Sequence, residues 1–120
     1  MLSRLLSAPI VVLALAAPAL AEVSARHFPA AFEALDETQR RTVQQELQTA
    51  GLYGGSIDGR YGPGTERALI QAVDRIVGDG FHGIAIFLDT EADAISFMFT
   101  LAEGGYSKWL YGEGDENDGG

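Results

Sequence analysis

Cysteine is absent from this 120-residue sequence. The absence removes disulfides, thiolate nucleophiles and Cys-based metal sites together. A chain of this size must then be held by its hydrophobic core alone. Histidine is scarce: His27 and His82 stand far apart, and neither falls in a ligand pattern such as H-E-x-x-H. No serine has a G-x-S-x-G setting. Asp58-Gly59, with Gly62 and Glu66 beyond it, has the outline of a calcium loop, but Arg60 and Gly62 stand where oxygen ligands are required. The sequence therefore indicates no catalytic residue, no metal and no cofactor, and it predicts no enzyme.

Long apolar runs are missing too. Ile10 to Ala17 is short against the roughly 20 residues of a spanning helix. Ile84 to Ala102 is interrupted by Asp89, Glu91 and Asp93, and each charge at membrane depth costs roughly 2.5–3.5 kcal/mol. Cations are few, with 8 Lys and Arg against 17 Asp and Glu. The shortage is uneven. Residues 36–77 carry five arginines against six acids, a balance of −1. Past residue 21, the rest has only Arg26 and Lys108 against eleven acids. That excess argues against nucleic acid and anionic lipid as partners. A face for an anion would lie in the middle block.

What is present begins with the N-terminus. Arg4 stands alone before the apolar stretch, and Ala19-Leu20-Ala21 gives small residues one and three positions before a cut. This is the layout of a secretory signal peptide, residues 1–21, with cleavage expected before Glu22. No cysteine follows for lipid attachment, so no membrane association is expected after cleavage. The remaining 99 residues suffice for one small domain.

Residues 22–35 read as a lead-in without clear period, with a helical turn around Ala30 to Leu35 after Pro29. Asp36 and Gln39 form a capping box. Val43, Leu47 and Ala50 then make one apolar stripe, which predicts a helix over 37–50. Gly51 is suited to a left-handed stop, with Leu52 folding back on Leu47. Residues 51–64 hold six glycines and the Asp58-Gly59 turn, so they read as a shaped loop anchored by Ile57 and Tyr61. A second helix starts near Pro63 to Thr65 and buries Ala68, Leu69, Ala72, Val73, Ile76 and Val77, ending at Gly78 and Gly80. Phe81 to Leu88 is strand or helix; its length does not decide. Thr90 and Asp93 open a helix over 91–103, with Phe97 and Phe99 widening its apolar face, and Trp109 is expected to dock on the core. Residues 112–120 read as a disordered acidic tail. The fold class is all-α: a small helical bundle over 36–111, with a glycine-rich loop between its first two helices and a C-terminal extension over 78–111.

The run from Val43-Gln44 through Gly51-Leu52-Tyr53-Gly54-Gly55-Ser56-Ile57-Asp58-Gly59 to Tyr61-Gly62-Pro63-Gly64-Thr65-Glu66 resembles the peptidoglycan-binding domain-like family. The resemblance covers roughly 36–77. It implies a three-helix cell-wall-binding module that recognises peptidoglycan or a muropeptide; together with the signal peptide, the expected location is the periplasm of a Gram-negative cell envelope. Two positions depart from the family pattern: Ala72-Val73 replace an aromatic followed by Gln, and Arg40 stands where an apolar residue is usual.

Five residues are candidates for a peptidoglycan site. Asp58 could bind a ligand amide or ammonium; its carboxylate could equally hold the loop by accepting backbone N–H groups. Tyr61 could stack on a sugar or plug the loop into the core. Tyr53 is the better stacking candidate, because Leu52 turns inward and its neighbour is expected to face outward. Arg60 and Arg67 suit stem-peptide carboxylates, which guanidinium matches bidentately, or they are solvated cations balancing Asp58 and Glu66. Three functions compete: a stand-alone wall-binding module, an interaction module docking a cell-wall hydrolase or other envelope protein, and a small hydrolase or inhibitor whose residues the sequence does not reveal.

Overall fold

A computed structural model of the chain describes residues 23–80 and 82–112. The expected leader over 1–21 and the acidic tail from residue 113 onward lie outside these residues. Among the described residues the regular structure is entirely helical. None of these helices is long and apolar enough to cross a membrane.

The capping box at Asp36 is formed. Asp36 Oδ1 accepts the Gln39 N–H at 2.8 Å, and Gln39 Oε1 accepts the Asp36 N–H at 2.9 Å. Helix α2 follows over Glu37–Thr49. It ends as expected: Gly51 adopts φ +78°, the Leu52 N–H donates to Leu47 O and the Gly51 N–H to Gln48 O, both at 2.9 Å. These two bonds satisfy carbonyls that a helix end leaves free. Helix α3, Pro63–Val77, carries Pro63 in its first turn and stops at left-handed Gly78. A second capping box, Thr90 with Asp93, starts helix α4 over Glu91–Ala102. A short helix α5, Ser107–Leu110, closes the described chain.

The lead-in belongs to the core. It forms helix α1, Phe28–Glu33, started by the Phe28 N–H donating to Ala25 O at 3.0 Å. Phe28, Ala31, Phe32 and Leu35 point inward and are buried. Helix α4 packs across α1 and α2, while α3 packs on α2 and α5. Phe28 stacks on Phe97 with centroids 6.0 Å apart, and Phe32 meets Tyr61 edge-on at 5.6 Å. Leu47, Leu69, Ile76, Met98 and Leu101 fill the space between. Burying each of these large side chains is worth roughly 1.5–3 kcal/mol.

Two expectations for the last third change, and a third holds. Ile84 to Leu88 forms no helix and no paired strand. Its side chains alternate between the core and solvent, with Leu88 buried and Phe87 67% exposed. Phe99 does not widen the buried face of α4, for it is 36% exposed. Trp109 does lie against the core, stacked on His82 at 4.8 Å, but Leu110 goes deeper.

The extension is latched to the middle block by two charged residues. Arg75 Nη1 donates to Ala50 O and to Leu110 O, both at 2.9 Å, and so joins α3 to the ends of α2 and α5. Glu46 on α2 accepts from Ser107 Oγ at 2.6 Å and from the Tyr111 hydroxyl at 3.0 Å.

Candidate functional site

The glycine-rich loop is built on one buried side chain. Gln44 is fully buried in α2, and its Oε1 accepts the Gly59 N–H at 2.8 Å. Because that donor is a backbone amide, it fixes which way the Gln44 amide points. Gln44 Nε2 therefore faces acceptors: Arg60 O at 3.0 Å, Asp58 Oδ1 at 3.3 Å and Thr65 Oγ1 at 3.3 Å. One side chain thus ties α2 to the turn and to the first turn of α3.

Asp58 completes the turn. Its Oδ1 accepts the Arg60 N–H at 2.9 Å, an aspartate turn closing on the residue two positions on. Gly59 takes φ +73°. The Arg60 N–H and then Gln44 hold the Asp58 carboxyl below the usual aspartate range. Arg40 clamps the turn from the other side. Its Nε donates to Gly59 O at 2.9 Å and its Nη1 to Leu35 O at 2.6 Å. The departure at Arg40 thereby gains a physical reason: the cation ties the loop to the end of the lead-in helix.

The sequence predicts that Tyr53 faces outward. The structure instead lays it against the loop, half-buried, with its hydroxyl donating to Ser56 O at 2.6 Å. Its ring passes over Gly55, where an added Cβ would come within 2.7 Å of the hydroxyl oxygen, and beside Gly64. Tyr53 braces the loop and leaves part of its ring on the surface. Tyr61 is also half-buried, its hydroxyl donating to Glu66 Oε1 at 2.8 Å. Burial first, and the bond to Glu66 second, push its pKa well above the ordinary tyrosine range, so it stays neutral. Ile57 is half-buried but does not reach the core cluster.

Between the loop and the start of α3 lies an open cleft of about 560 Å³. Tyr53, Asp58, Arg60, Tyr61 and Arg67 all line it, together with Leu52 and Thr65. The five candidates, spread over fifteen positions of sequence, meet at one place. Their side chains differ in how much is committed. Asp58, Tyr53 and Tyr61 have hydrogen-bond partners within the loop and α3. Arg60 and Arg67 are exposed, and neither guanidinium makes a hydrogen bond or ion pair among the described residues. The cleft thus offers two available cations and partial aromatic faces. Such a surface can take a carboxylate and stack on an apolar ring face.

Sequence reasoning missed Gln44 and Thr65, the buried polar residues that shape the cleft. The signal was a glutamine beside Val43 on a helix face that Leu47 shows to be buried. Elsewhere, His82 Nδ1 lies 2.9 Å from Ile76 O, and His27 precedes α1. Among the described residues, no group of three or more His, Asp or Glu side chains could hold a metal ion.

No curated protein and no solved structure matches this chain. Residues 36–72 match the family model described as a putative peptidoglycan binding domain. The match takes in α2, the glycine-rich loop and the first ten residues of α3, the same elements that form the cleft.

Proposed function

We propose that this is an exported, non-catalytic protein of the cell envelope that binds peptidoglycan at the cleft between the glycine-rich loop and α3. The observation that carries the reading is the pair Arg60 and Arg67, two exposed guanidinium groups on the rim of a cleft that make no hydrogen bond or ion pair among the described residues. The segment forming that cleft matches a peptidoglycan-binding family. Muropeptides present free carboxylates and sugar faces, and the rim meets both. Arg60 and Arg67 take the stem-peptide carboxylate, the exposed parts of Tyr53 and Tyr61 contact the glycan or the peptide stem, and Asp58 holds the turn that aims Arg60. Export to the periplasm by the expected leader brings the protein to this ligand.

Sedimentation with purified, insoluble sacculi tests the reading. The protein is expected to co-sediment at low salt and to leave the turbidity of the suspension unchanged. Protein that stays in the supernatant contradicts wall binding, and falling turbidity contradicts the non-catalytic assignment.

A further inference from the structure

We propose that residues 84–88 form an open strand edge that takes up an extended, basic peptide segment of a protein partner. This goes beyond wall binding and uses a different face. From Ile84 to Leu88, no backbone N–H or C=O makes a hydrogen bond among the described residues. Backbone groups left unpaired by their own chain are open to water or to a partner. Here Ile84 and Ile86 rest on the core and Leu88 is buried, while Ala85 and Phe87 face out. That alternation is the period of an extended chain. The segment therefore has the form of an edge strand without a neighbour, and edge strands are templates for pairing with another chain.

A second observation lies beside it. A small pocket of about 160 Å³ is bounded by Ala85, Ile86, Phe87, Phe97, Tyr106 and Asp93, enough for one aliphatic side chain. Phe87 at its edge is the most exposed large apolar residue in the described structure. An added strand would set alternate side chains toward this pocket and cover Phe87, while its backbone paired with residues 84–88.

Charge selects the occupant. Asp89, Glu91 and Asp93 follow directly, the first two exposed and the third on the pocket wall. The chain's own residues 113–120 hold four acids and no cation, so they carry the wrong sign. A second copy of this net-acidic chain is opposed by the same repulsion. A segment that alternates aliphatic and basic residues satisfies the backbone, the pocket and the acids together.

The probe is a capped seven-residue peptide alternating valine and lysine, added to the purified protein and followed by amide NMR and hydrogen exchange. Amides of residues 84–88 are expected to shift and to exchange on the order of tenfold more slowly. The same peptide with alternate backbone nitrogens methylated, or with glutamate for lysine, should bind on the order of tenfold more weakly. Phe87→Ser should weaken binding several-fold without lowering the melting temperature, because Phe87 is exposed. A variant carrying Arg60→Ala and Arg67→Ala should bind the peptide as the wild type does, which separates this edge from the cleft. The proposal is overturned by shifts that map elsewhere or by equal binding of the methylated peptide. It is also overturned if the free protein dimerises through residues 84–88, which would make a second copy the occupant.

Discussion

The Gln44 carboxamide holds the Gly59 amide at 2.8 Å from inside helix α2, and this bond ties the loop to the helix from the buried side. Gln44→Leu keeps the volume and removes every partner, leaving the Gly59 N–H buried and unsatisfied. The expected loss is about 1–3 kcal/mol. In a domain of this size, that lowers the melting temperature by roughly 4–8 °C per kcal/mol. An unchanged melting curve would show that the loop is held by something else.

Gly51 tests the helix stop. An added Cβ meets nothing within 4 Å, so backbone strain at φ +78° is the main cost of a side chain. Gly51→Val should therefore lose on the order of 1–2 kcal/mol or more, and Gly51→Asn should recover most of it. Equal losses for the two variants in denaturant titration would contradict a purely conformational cost.

Tyr53 must be handled differently from Arg60. Because its ring and hydroxyl brace the loop, Tyr53→Ala should lower stability, on the order of 1–3 kcal/mol. Arg60→Ala, exposed and unbonded through its side chain, should leave the stability within about 0.5 kcal/mol of wild type. Parallel thermal melts check both. A neutral Tyr53→Ala would restore the outward-facing reading.

The acid limb of stability should report Asp58. Its folded pKa is lowered, so the unfolded chain takes up the proton first as pH falls. The contribution is present above the unfolded aspartate value, about 3.9, and is lost as pH falls through the lower folded value. Asp58→Asn should be less stable than wild type at neutral pH, and the gap should narrow below about pH 3.9. A gap that stays constant with pH would remove charge from the account.

Export is checked by mass. The protein recovered from a periplasmic extract should begin at Glu22, since Ala19 and Ala21 suit signal-peptidase cleavage. An intact Met1 in soluble protein would contradict it.

The parts of the fold legible in the sequence are those with local signatures. Asp36 with Gln39, Thr90 with Asp93, and Gly51 each act within a few residues, so each helix they bound is readable without the tertiary structure. Helix α1 was less visible because six residues give too few positions to establish a period, although Phe28, Ala31, Phe32 and Leu35 follow one. The conformation of residues 84–88 depends on what the core accepts from alternate side chains, and no local signal specifies it. At the site, residue type located the candidates, but long-range contacts decided their roles. The lie of Tyr53 over Gly55 and the reach of Gln44 across to Thr65 are set by packing between α2, the loop and α3.

The most direct measurement is sedimentation of the Arg60→Ala, Arg67→Ala double variant with purified sacculi beside the wild type, at low and high salt. Both groups are exposed, so the double variant should melt as the wild type does. The account predicts that wild-type protein co-sediments, that the double variant binds on the order of tenfold more weakly, and that added salt narrows the difference by screening the two cations. A double variant that co-sediments as the wild type does at low salt would contradict the cleft as the wall-binding site.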